Sequence, residues 1–183
     1  MKLQVGPGWL RLATVILCFA IVGAVFLASQ SAEKTMSDAE KSERIEALYK
    51  KYQRKFPEVE GIRATDLKAD LAQGRKVVLV DVRKPKEQAV SMIPGAITQK
   101  DFEERKAALQ GETVVTYCTA GYRSGLYAEK LQKKGWRVLN LEGSLLAWTH
   151  AGGPLVDEDG PTQRVHVYSA DWSLEAADYD PIW

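Results

Sequence analysis

Residues 113–131 constrain the chain most: Thr113-Val-Val-Thr-Tyr-Cys118-Thr-Ala-Gly-Tyr-Arg123-Ser-Gly-Leu-Tyr-Ala-Glu-Lys-Leu131. β-branched and aromatic residues from Thr113 to Tyr117 spell a buried strand. A short loop opens at Cys118, and a helix is expected from near Ser124, with Tyr127 and Leu131 on one face. Gly121 supplies backbone freedom within the turn. Such a strand–loop–helix turn gathers backbone N–H groups around one point, and the helix N-terminus adds positive partial charge. A cysteine met alone reads as a small buried hydrophobe. The glycines, Arg123 and the strand-to-helix setting point instead to a thiolate stabilised near neutral pH.

The rest of the chain supplies the frame. Val77 to Val82 is an apolar run of the kind covered on both faces of a sheet, and Val138 to Leu141 is another. Between them lie helical segments: one around Leu67 and Leu71 with Thr65 as cap, one or two turns from Pro85, and a polar helix from Phe102 to Leu109. A last helix carries Leu145 and Trp148. Strand alternating with helix predicts an α/β fold with a central parallel sheet and helices on both faces. Its ligands bind beyond the carboxyl ends of the strands, where Cys118 falls.

Several segments together resemble the rhodanese-type sulfurtransferase family. Cys118-Thr-Ala-Gly-Tyr-Arg123-Ser124 is similar to its active-site loop. Val-Leu-Val-Asp81-Val-Arg83 with Glu87, then Ile93-Pro-Gly-Ala96, resembles its first signature, and Gly135 to Gly143 with Trp148 its closing segment. The resemblance covers about residues 60–155. Two positions depart from the pattern: Ser91-Met92 stands where the family has Gly-His, and Ser144 where it has a second glycine. These bear on substrate surroundings and local turn geometry.

The resemblance implies double displacement. Cys118 takes the outer sulfur of an anionic donor such as thiosulfate as a persulfide and passes it to a thiol or cyanide, with no cofactor beyond that covalent intermediate. Loop residues Thr119, Ala120, Gly121, Tyr122, Arg123 and Ser124 would bind the anion, through backbone amides above all. Arg123 either adds charge or braces the loop. Ser124 either caps the helix, the preferred reading, or donates to the anion. Asp81 and Arg83 either stand near the mouth or form a supporting pair, and Glu87 reads as structural. Phosphatases of related fold place five residues between cysteine and arginine; the four here (Thr119 to Tyr122) favour a single sulfur over a tetrahedral oxyanion. A persulfide carrier without turnover, or a protein-binding module using a protein sulfur donor or acceptor, is the alternative from another class.

Outside this stretch, four regions are expected: a membrane anchor or signal segment (1–31), a linker and amphipathic helix (32–60), the catalytic domain (61–155) and an acidic, aromatic tail (156–183). Residues 9–28 include the uncharged run Leu12 to Ala28 preceded by Lys2 and Arg11, at the short end of the membrane-spanning range. The basic excess on the N-terminal side places the domain outside the cytoplasm, in a bacterium the periplasm. In the helix, Ser37 and Glu40 form a capping box, and Ile45, Leu48, Tyr49, Tyr52 and Phe56 form a stripe read as docking on the domain. The tail either packs back or binds a partner. The formal charge of +1 gives no sign of nucleic-acid binding. Two cysteines in unlike settings argue against a disulfide, and the two histidines form no metal-ligand spacing.

Overall fold

The computed structural model describes residues 36–183. The apolar run at 12–28 and Cys18 lie outside the described residues. Among those described, no helix is long and apolar enough to cross a membrane.

Five short strands make one sheet: β1 (Gly61–Ile62), β2 (Val78–Asp81), β3 (Ile97–Thr98), β4 (Val114–Tyr117) and β5 (Val138–Leu141). Their spatial order is β1-β5-β4-β2-β3, and every pairing is parallel. The helices between them are α2 (Ala64–Ala72), α3 (Pro85–Gln88), α4 (Gln99–Arg105), α5 (Tyr122–Gln132) and α6 (Ser144–His150), preceded by α1 (Asp38–Gln53).

Period-two alternation along the strands divides the core into two layers. On one face Val80, Val114 and Val138 pack with Phe102 of α4 and with Tyr127, Ala128 and Leu131 of α5. On the other, Leu79, Val115, Tyr117 and Leu141 meet Leu67 of α2 and Leu145 and Trp148 of α6. Both faces are covered by helices, as an all-parallel sheet requires.

The amphipathic stripe docks on the domain. The Ser37–Glu40 capping box is present, and Ile45 and Tyr49 of α1 are buried. Phe56 is buried beside Gly125 of α5, where any Cβ would fall within the van der Waals envelope of its ring. The tail also packs back. It forms a hairpin of β6 (Leu155–Asp157) with β7 (Gly160–Thr162), then a parallel pair, β8 (Arg164–His166) with β9 (Asp180–Ile182). Val165, Val167 and Leu174 are buried, and Lys41 of α1 donates to the Glu175 carbonyl.

Three local expectations are corrected. Helix α5 starts at Tyr122, two residues before Ser124, because Gly121 at φ 98° turns the chain into it from the left-handed region. Arg63, not Thr65, occupies the cap position of α2, where its side chain bonds to the Asp66 carboxylate and caps no backbone N–H, and the Thr65 hydroxyl bonds to Asp66. The helix expected over 102–109 runs from Gln99 to Arg105, started by a reciprocal cap between Thr98 and Asp101.

Candidate active site

Strands β2 and β4 are neighbours in register, Asp81 opposite Tyr117, so the loops after their carboxyl ends lie side by side. The loop from Cys118 leads into α5, and the Cys118 side chain is 2 % exposed at its floor. The first N–H groups of α6 turn this loop inside out. Leu145 N–H donates to the Cys118 carbonyl and Leu146 N–H to that of Thr119 (3.1 Å each), drawing these oxygens away from the sulfur. From β5, Asn140 Nδ2 donates to the Gly121 carbonyl at 3.0 Å. The opening N–H groups of α5 lack intrahelical acceptors.

Donors converge on the sulfur. Gly121 N–H lies 3.2 Å and the Ser124 hydroxyl 3.5 Å from Cys118 Sγ. Burial alone pushes the thiol pKa up. The side-chain and backbone bonds from Ser124, the Arg123 charge and the Gly121 N–H outweigh it, and the pKa falls below the ordinary thiol value.

Arg123 does not point freely at the sulfur. Its Nη1 and Nη2 donate to Glu87 Oε2 and Oε1 at 2.8 and 2.7 Å, and Nη2 also reaches Thr119 Oγ1 at 3.2 Å. Glu87 further accepts Lys84 N–H at 2.9 Å. Burial would raise the Glu87 pKa, but the Arg123 bonds and the Lys84 N–H overcome this and bring it to about 2. A bidentate, charge-assisted pair therefore splints α3 to the cysteine loop. Arg123 is one of the two residues of the Cys118–Ser124 motif whose side chain stays partly open; the other is Tyr122, 40 % exposed.

The expected residues sort into three groups. Gly121 and Ser124 meet Cys118 at the sulfur, while Arg123 is held by Glu87 and Thr119, and Ala120 is buried against Leu146 and Val167. Ser124 is not a helix cap: it lies inside the first turn of α5 and its hydroxyl faces Sγ. Asp81 and Arg83 are not at the mouth. Both side chains are 0 % exposed and joined by three side-chain bonds, with Arg83 also donating to the Ser91 carbonyl. The supporting-pair reading holds for them. Among the described residues, no three His, Cys, Asp or Glu side chains could share a metal ion.

Two residues carry more of the site than the sequence indicates. Glu87 is structural, as expected, and the element it braces is the Arg123 side chain of the cysteine loop. Ser144 is expected to bear on substrate surroundings and local turn geometry. Its hydroxyl accepts Cys118 N–H at 3.0 Å, and it lies 3.4 Å from Ser124 Oγ and 4.0 Å from Sγ. Its φ is 52°, the one positive value outside glycine among the described residues. A residue held in this costly region beside a reactive group was detectable as a serine following Gly143 where glycine was expected.

This arrangement has counterparts. The rhodanese-like domain family matches residues 63–151. A sulfurtransferase of Allochromatium vinosum is 37 % identical over 106 residues, which are 56 % of this chain and 99 % of that protein. A tRNA uridine(34) hydroxylase of Cupriavidus taiwanensis is 36 % identical over 102 residues, 48 % of this chain but 36 % of the hydroxylase. Among solved structures, a thiosulfate sulfurtransferase from Pseudomonas aeruginosa superposes with a TM-score of 0.53 at 25 % identity, covering 69 % of this chain and 25 % of that one. With near-complete coverage of a sulfurtransferase and a parallel sheet that delivers its one described cysteine to an amide-lined loop, the chain belongs to the rhodanese-like sulfurtransferase family.

Proposed function

We propose that this protein moves sulfane sulfur from a thiosulfate-like donor to a thiophilic acceptor through a persulfide on Cys118. The observation that carries this is the buried sulfur receiving the Gly121 N–H and the Ser124 hydroxyl, which favours thiolate without a histidine base. The Cys118 thiolate attacks the outer sulfur of thiosulfate, an S–Sγ bond forms, and the S–S bond electrons leave with sulfite. An acceptor thiolate or cyanide then attacks the outer sulfur, and the bond pair returns to Cys118 Sγ. Arg123, fixed by Glu87, holds positive charge beside both anions, and the inward amides stabilise the charge that shifts between sulfurs.

The family relationship supports sulfur transfer in general; an anionic donor such as thiosulfate suits the inward amides and the Arg123 charge. Residues 9–28 would tether the domain to a membrane, with the domain on the extracytoplasmic side. Protease accessibility in intact and permeabilised cells tests this, and digestion only after permeabilisation to the cytoplasm overturns it.

The deciding experiment is intact mass spectrometry of the full-length protein after thiosulfate treatment, with Cys118→Ser as control. Gain of one sulfur atom, about 32 Da, reversed by cyanide and absent in the variant, is expected. No adduct from thiosulfate or from a persulfide donor overturns the reading in favour of a binding module.

A further inference from the structure

The family match spans residues 63–151, yet much of the rim around Cys118 comes from outside it. Tyr52 of α1 packs on Tyr122, ring centroids 5.2 Å apart. From the other end of the chain, Tyr168 lies over the Arg123 guanidinium at 5.2 Å, and Trp172 meets Tyr168 edge-on at 5.8 Å. Tyr52, Tyr122, Arg123, Tyr168 and Trp172 thus form one arc. The arc borders the reacting centre because Tyr122 and Arg123 belong to the cysteine loop itself.

The arc is partly exposed and it is held: Tyr52 and Trp172 are half-buried against the core. Tyr122 and Tyr168 are 40 and 51 % exposed, two of five large apolar or aromatic side chains so open among the described residues. The segment carrying Tyr168 is nonetheless anchored by buried Val167, whose N–H donates to the Ile182 carbonyl at 2.7 Å, and by buried Leu174. Exposed aromatic surface on a fixed backbone marks contact with something outside the chain.

A small anion does not need this arc, because the loop amides suffice for it. A sizeable free ligand would want an enclosing pocket. Two cavities among the described residues, of about 550 and 360 Å³, are not lined by Cys118 or its loop. Tyr, Trp and Arg on an open rim are instead the side chains that dominate protein–protein contacts. With Sγ at the loop floor, the incoming sulfur must arrive at the tip of a projecting group.

We propose that the Tyr52–Tyr122–Arg123–Tyr168–Trp172 arc is a docking rim for a polypeptide acceptor, which presents a cysteine thiol on an extended segment to the persulfide of Cys118. The inference rests on the sulfur-transfer reading above. In the step, the acceptor thiolate bonds to the outer sulfur, the bond to Cys118 Sγ breaks, and the pair returns to Sγ. No external oxidant or reductant enters.

The test isolates the second half-reaction. Full-length protein is loaded with thiosulfate and desalted, and its discharge rate is measured with cyanide, with 2-mercaptoethanol and with a ten-residue peptide bearing a central cysteine and flanking apolar residues. Rates are compared per thiolate. The peptide is expected to outpace 2-mercaptoethanol at least tenfold, with saturation. Tyr168→Ala should cut the peptide rate at least five times more than the cyanide rate, and Tyr168→Phe should restore it, because the ring is kept. Equal rates for peptide and small thiol in the unaltered protein overturn the proposal. So does a Tyr168→Ala loss that is uniform across acceptors. Failure of thiosulfate loading itself would count against the sulfur-transfer reading, a separate outcome seen before any acceptor is added.

Discussion

Two bidentate guanidinium–carboxylate pairs lie beyond the ends of β2 and β4, and they have different tasks. Asp81 and Arg83 are two residues apart, both 0 % exposed, with the guanidinium bonded to the Ser91 carbonyl and stacked 5.9 Å over Tyr117. Glu87 of α3 and Arg123 at the start of α5 are 36 residues apart, and the Arg123 side chain keeps 27 % exposure. The first pair is bonded within its own loop, through Nε and Nη2 of Arg83 to Asp81 and the Ser91 carbonyl. The second ties α3 to the cysteine loop and leaves the cation partly open beside the Tyr168 ring. The chemistry of the fork is the same; which elements it spans decides whether it supports the fold or the site.

Breaking the inner pair should have the largest effect. Arg83→Met leaves the Asp81 carboxylate buried without its partner, at a cost of about 3–5 kcal/mol. The melting temperature should drop by about 10 °C, and thermal denaturation checks it. A variant that melts normally but loads sulfur slowly would reverse the two roles.

Acid separates the pairs next. The Glu87 carboxyl has its folded pKa depressed to about 2, below its ordinary value. Its stabilisation is therefore fully present above about pH 4.5 and is lost as pH falls through about 2, with an amplitude of about 3 kcal/mol. Urea denaturation across this window should show the loss, and Glu87→Gln should flatten it. An unchanged slope in the variant would mean the outer pair contributes nothing to folding.

At the site itself, Arg123→Lys keeps the charge but forfeits the two-pronged bond to Glu87. Thiosulfate loading should slow by up to about a hundredfold, with a far smaller change in melting temperature than Arg83→Met. Rapid-quench mass spectrometry of the persulfide gives the rate. The smallest effect concerns Ser144. Ser144→Gly removes a left-handed strain and a hydrogen bond together, so its stability should stay within about 1 kcal/mol of the parent. Ser144→Ala keeps the strain and should fall about 1 kcal/mol below the glycine variant. In both, alkylation of Cys118 by iodoacetamide should shift to higher pH if the hydroxyl sets the loop around the thiolate.

The contrast also marks what the sequence could reveal. The cysteine loop was legible because a strand, a turn and a helix follow one another within nineteen residues, 113 to 131, so local rules suffice. The parallel sheet was legible from apolar runs alternating with helical periodicity. Glu87 was not, because nothing local shows which carboxylate the Arg123 guanidinium meets across 36 residues. The Ser124 error has a similar origin: its hydroxyl serves a sulfur six residues back, and Gly121 starts the helix without it. Tyr52 and Tyr168 were invisible as partners of the loop, since their placement depends on how α1 and the tail fold over the sheet. Local chemistry is written in order along the chain; convergence is not.

Phe56 gives the helix before the family match a second meaning. Its ring fills the place a side chain on Gly125 would take, and Tyr49 and Val59 join the same core layer. A protein excised at residues 63–151 would keep every recognisable motif but lose this plug, uncovering an apolar slot along α5 and the outer wall of the cysteine loop. Such a fragment should be sticky and prone to aggregate, and a glycine at 125 would have no evident purpose within it. The unit that folds is larger than the unit that is recognised.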